Sequence, residues 1–222
     1  MVTRLQSWFG NGLYGIANLL MDIFCVFFVI SIHEVGHGLV AHLLGDDTAK
    51  NMGRLSINPK DHLDPIGAIC LFLFGFGWAN PVPVNPRNFS KVSMKTGMVI
   101  TSLAGPLTNI IFAFISLFLI KLLGLVPETT VVTVLYMLLS GMVSLNISLA
   151  VFNLIPIPPL DGYKILSAVL PPKYYFKLMQ YERYGFIVLI LFIYLPIFNG
   201  LLSGAVMGIY RFMYYILSFL PF

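Results

Sequence analysis

His33-Glu34-Val35-Gly36-His37 sets two imidazoles four residues apart, with a carboxylate beside the first. On a helix such a pair differs by about 40° around the axis and one turn in height, so both rings can reach one metal ion. Glu34 then stands where a carboxylate can take a proton from an attacking water. The pentad lies inside a long apolar run, where polar groups are costly and usually have both a partner and a job. The combination points to zinc-assisted hydrolysis inside a bilayer.

A zinc site usually needs a third protein ligand. His42 is five residues past His37, about 140° away from the ligand face, and reads as an interfacial side chain. His62 and Asp64 lie in the loop that follows, where spacing excludes neither. Asp161 is the better candidate. It follows Pro156-Ile157-Pro158-Pro159-Leu160, whose prolines dictate an extended path, and Gly162 behind it permits an immediate turn. Asp22 falls about 20° off the His33 face, three turns further out, and reads as interfacial rather than as part of a polar seam.

These residues need a membrane scaffold to position them. The 222 residues are 58% hydrophobic and only 10% charged, against about 25% charged in a soluble domain. The expected fold is an all-α polytopic membrane protein, residues 1–222 forming a single integral-membrane domain. Its core would be three spans, at about 13–44, 96–123 and 130–155. Ala104-Gly105-Pro106 would interrupt the second. From Gly185 the chain is apolar again, broken by Pro196, Asn199-Gly200 and Arg211, and would form two short spans or one span followed by an interfacial helix beginning near Tyr210. Residues 66–79 are apolar but too short to span, and Gly75-Phe76-Gly77 favours a reversal, so a short re-entrant β-like hairpin is expected there. Its extended edge could pair with an unwound substrate, which makes Gly75, Phe76 and Gly77 candidate substrate-binding residues. No signal peptide is evident, and Cys25 and Cys70 read as free buried thiols.

Charge supplies an orientation. The loops on the motif's side carry ten Lys/Arg, from Lys50 to Arg183, against Arg4 and Lys121 on the other, with Arg211 unassigned. By the positive-inside rule the motif faces the cytoplasm of a cell membrane. The net charge of +4 is explained by those loops and does not call for nucleic acid.

HEVGH together with Asn153-Leu154-Ile155-Pro156-Ile157-Pro158-Pro159-Leu160-Asp161-Gly162 resembles the site-2 protease family of intramembrane metalloproteases. The second motif matches that family's NxxPxPxLDG at every defined position. Gly75–Pro86 and Ala104-Gly105-Pro106-Leu107-Thr108-Asn109 also resemble family segments, so the likeness covers about residues 20–170. It implies one zinc per chain held by His33, His37 and Asp161, Glu34 as general base, and a transmembrane protein substrate unwound near the metal. Asn153 is then a catalytic candidate, as a donor to the developing oxyanion or else as a cap on its own helix. Asn109 is read as a partner for carbonyls freed at Pro106. The resemblance implies a compact prokaryotic member without the PDZ or CBS domains of larger ones. Besides substrate, the partner would be membrane lipid; homo-oligomerisation is left open. The rival reading is a membrane transporter or scaffold with a metal site, which would not need a proline-positioned aspartate beside an HExxH pair.

Overall fold

A computed structural model describes residues 12–74 and 77–220. Nine α-helices are present among them: α1 (Leu13–Leu43), α2 (Thr48–Asn51), α3 (Pro65–Phe74), α4 (Met94–Leu123), α5 (Thr130–Asn153), α6 (Asp161–Val169), α7 (Pro172–Tyr181), α8 (Gly185–Tyr194) and α9 (Pro196–Ser218). Four of these, α1, α4, α5 and α9, are long and apolar enough to cross a membrane. At 31 residues α1 is about 46 Å long, more than a bilayer core needs.

Helix α4 lies at the centre and packs against α1, α5 and α6, while α9 leans on α5 and α4. The ends follow local chemistry. Ser93 and Thr129 cap α4 and α5 by accepting the Thr96 and Val132 N–H groups. Helix α1 stops at Gly45, whose φ of +107° suits only glycine, and the Asp46 N–H closes back on the Ala41 carbonyl at 2.9 Å. Lys121 Nζ reaches the Leu217 and Leu220 carbonyls at 2.6 and 2.9 Å, tying the end of α9 to the end of α4.

Asp46 joins the two polar loops on the motif's side. Its buried carboxylate accepts from the Thr48 hydroxyl and N–H, from Asn85 N–H at 2.6 Å and from Asn88 Nδ2 at 3.0 Å. Burial opposes its charge, but these donors outweigh burial and hold the carboxyl below its usual range.

Three expectations change. The second span is not interrupted: α4 runs through Ala104-Gly105-Pro106. The Thr108 hydroxyl donates to the Ala104 carbonyl at 2.8 Å, engaging a carbonyl beside the proline. The re-entrant segment is not β-like along its first limb, because residues 65–74 form α3, which satisfies its own backbone in apolar surroundings. The return limb is extended and closes on the entry point. Leu63 and Ala79 form an isolated antiparallel bridge, and Asn80 N–H donates to the His62 carbonyl at 2.8 Å. Among the described residues this bridge is the sole β pairing. Gly75 and Phe76 lie outside the described residues. In the tail, α8 is too short to span and α9 begins at Pro196, with no helix start near Tyr210.

Candidate metal centre

His33 and His37 project from one face of α1, and Asp161 opens α6 immediately after the proline-rich turn. All three are buried. His33 Nε2, His37 Nε2 and Asp161 Oδ2 lie 3.1 Å from one another, each pair alike. Among the described residues they form the one cluster of His, Cys, Asp or Glu able to share a metal ion.

The outer ring nitrogens settle which atoms bear lone pairs. His33 Nδ1–H donates to Asn109 Oδ1 at 2.7 Å, and His37 Nδ1–H donates to the Thr101 carbonyl at 2.7 Å. Each imidazole therefore turns a lone pair inward, and these two meet a carboxylate oxygen. Three such atoms repel unless a cation lies among them. Tetrahedral zinc with bonds of about 2.0–2.1 Å separates its ligands by roughly 3.3 Å, so the observed triangle suits that ion. Lys164 Nζ donates to Asp161 Oδ1 at 2.9 Å, leaving Oδ2 to the cluster.

Close packing makes room for the rings. A Cβ on Gly105 would collide with His37 Nε2 and would stand 2.6 Å from its Cε1 and 2.7 Å from His33 Cε1. Gly36 similarly admits Thr108, whose Oγ1 would lie 2.5 Å from an added Cβ. Small residues let α1 and α4 approach this way in membrane bundles. Gly162 acts by the same means: a Cβ there would run into the Leu154 carbonyl, so its role is close approach to the end of α5 rather than a special turn.

Glu34 is half-buried, and its Oε2 accepts the Val82 N–H at 2.8 Å. Val82 belongs to the extended limb that follows Gly77. Arg54 grips that limb through the Asn80 and Pro81 carbonyls at 2.8 and 3.3 Å. Asn153 donates one amide hydrogen to the Leu149 carbonyl of its own helix at 3.1 Å. Asn109 partners an imidazole rather than carbonyls near Pro106, and its Nδ2 donates to Asn146 Oδ1 at 2.9 Å.

The other candidate ligands have structural partners. His42 pairs with Asp47 at the surface. His62 is buried and donates Nε2–H to the Ser56 carbonyl at 2.6 Å. Asp64 accepts the Gly67 N–H at 2.7 Å. Asp22 is not part of the cluster, and Cys25 and Cys70 are free thiols. Sequence reasoning missed Asn146, Gly105, Lys164 and Val82. Asn146 carried a signal, since an asparagine in mid-span needs a partner; the others did not announce themselves.

Residues 21–195 match peptidase family M50. Relatives include YwhC of Bacillus subtilis, provisionally named a zinc metalloprotease, at 45% identity over 78% of this chain and 81% of that protein. Rip2 of Mycolicibacterium smegmatis, provisionally named in the same way, is 27% identical over 88% of this chain and 72% of its own length. A Methanocaldococcus jannaschii protein with the same provisional name, MJ0611, is 33% identical over 63% of this chain and 70% of its own. No solved structure matches at a significant level.

Proposed function

This chain belongs to peptidase family M50 and is an intramembrane zinc metalloprotease, and from that premise we propose that His33, His37 and Asp161 hold the zinc while Glu34 serves as general base. The substrate is a membrane protein, cut within or near a transmembrane segment. The observation that carries the ligand assignment is the 3.1 Å triangle of inward lone pairs, with both outer ring nitrogens committed to acceptors.

When bound, zinc supplies Lewis acidity toward the scissile carbonyl and lowers the pKa of a water toward about 7. Glu34 takes the proton of the attacking water and delivers it to the leaving amine. The Val82 N–H engages Oε2 and leaves Oε1 for that exchange. Asn153 keeps a second amide hydrogen for the developing oxyanion. The substrate backbone lies along the segment leaving α3. Gly77 begins its extended limb, which runs on to the Val82 contact with Glu34; Gly75 and Phe76 join this cradle on sequence grounds.

The ten basic residues of the motif-side loops support a cytoplasmic orientation for that side, in a cell membrane. Residues 1–222 act as one integral-membrane domain.

The test measures zinc per chain and cleavage of a membrane reporter substrate in purified protein. The native chain should hold about one zinc, as a single three-ligand site requires. Asp161→Ala should lose it, while His62→Ala and Asp64→Ala keep it. Glu34→Gln should retain zinc and lose cleavage by about 10²-fold or more. Equal zinc loss in all three ligand candidates, or brisk turnover by zinc-replete Glu34→Gln, would sink the reading.

A further inference from the structure

We infer that Asn146, which touches no ligand atom, sets the lone-pair direction of His33 through Asn109 and so tunes how tightly the metal is held. Asn146 and Asn109 are 1% and 0% exposed and sit in the middle of two spans. An amide left without partners there is costly, so the pair is bound to one arrangement.

That arrangement has a direction. The Met142 carbonyl can only accept, so Asn146 presents Nδ2 to it at 2.9 Å and turns Oδ1 toward Asn109. Asn109 then presents Nδ2 to Asn146 at 2.9 Å and turns Oδ1 toward His33. Since Oδ1 can only accept, His33 carries its proton on Nδ1 and its lone pair on Nε2. A backbone carbonyl of α5 thereby dictates the tautomer of an imidazole on α1. Without the Asn146 side chain, nothing stops the Asn109 amide from turning over. Its NH₂ would then face Nδ1 and push the proton onto Nε2, the atom that points into the triangle. His37 is the internal contrast, because its Nδ1 faces the Thr101 carbonyl directly, with no side chain between.

The inference rests on His33 being a ligand, as proposed above. Its test uses the full chain in detergent, with zinc dissociation constants from chelator competition and melting temperatures with and without zinc. Asn146→Leu should weaken zinc about 10–100-fold, the usual cost of losing a group that orients a ligand. Asn109→Leu should cost at least as much. The double variant should lose no more than Asn109→Leu, because Asn146 acts through Asn109. Asn146→Asp, as a neutral buried acid, can accept from Asn109 and donate to Met142, and should return affinity to within about threefold of native.

A packing role alone would lower the metal-free melting temperature with zinc affinity unchanged, and that result overturns the inference. So do losses that multiply in the double variant. Where Asn146→Leu fails to melt cooperatively, Asn146→Ser takes its place. Its hydroxyl can serve Met142 but falls short of Asn109, so the same 10–100-fold loss is expected and unchanged affinity again overturns the inference. His33→Ala separates the two readings: native zinc affinity there would remove the ligand assignment itself.

Discussion

Gly105 in α4 and Gly204 in α9 are the same residue in two apolar helices, and their surroundings differ completely. A Cβ at Gly105 would strike both imidazoles of the metal site, whereas a Cβ at Gly204 meets nothing within 4 Å. The helices differ likewise. Helix α4 buries Thr101, Ser102, Asn109 and Ser116 among its neighbours, while α9 buries only Met213 and Leu217. In lipid, apolar surface gains nothing by leaving the hydrocarbon, so association rests on close approach and on polar groups finding partners. Helix α4 uses both devices. Helix α9 is held by the cluster of Met213 and Leu217 with Ala113, Leu117, Val143 and Ile147, and by Lys121. Hydrophobicity alone would not distinguish the helix that builds the site from the one that flanks it.

One added methyl breaks or confirms this contrast. Gly105→Ala should displace the His33 and His37 rings and reduce both zinc affinity and cleavage by about a hundredfold, since misplacement on the ångström scale is enough for that. Gly204→Ala should leave both unchanged. Zinc titration and reporter cleavage on the two variants decide it, and a fully active Gly105→Ala would erase the distinction between the helices.

The next effect in size belongs to the loops. Asp46 has a lowered folded pKa, so its stabilisation is fully present above the unfolded value of about 3.9 and is lost as pH falls through the folded value. The junction of the two motif-side loops should therefore survive mild acid and loosen only below about pH 4. Asp46→Asn should cost about 1.5–3 kcal/mol at neutral pH, the range for hydrogen bonds to a charged group. Amide exchange at Asn85 should rise in that variant while exchange in α9 stays as it was. A junction that opens near pH 6 would refute the assignment.

The smallest effect should come from the tail. Lys121→Met frees the Leu217 and Leu220 carbonyls and should lower stability by about 1–2 kcal/mol. Zinc content and cleavage should hold, because no metal-site residue touches that end. A drop in zinc occupancy would show that α9 supports the site after all.

The site was more legible than the fold around it, for reasons that particular residues illustrate. The His33–His37 pair depends on helical periodicity alone, and the proline-bound path to Asp161 depends on fixed φ angles, so both could be read locally. The re-entrant segment could not. Two glycines around Phe76 suggested an extended hairpin, but the ten residues before them are strongly apolar, and in apolar surroundings a helix satisfies its own backbone. Gly105-Pro106 misled in the same way. Read locally it breaks a helix, whereas in the bundle α4 continues and the glycine exists to admit two rings.

Local pattern therefore establishes the three core spans, the candidate ligand types and the spacing that puts two histidines on one face. What holds them emerges in the assembled bundle: Asn109 and the Thr101 carbonyl behind the rings, Asn146 behind Asn109, Lys164 on the far oxygen of Asp161, and the Val82 N–H on Glu34. The reason is range. Periodicity and proline act over a few residues, while apart from Lys164, three residues along α6 from Asp161, these partners lie on separate elements, Asn146 113 positions beyond His33. They meet only because small residues let α1, α4 and α5 come close enough for buried polar groups to find one another.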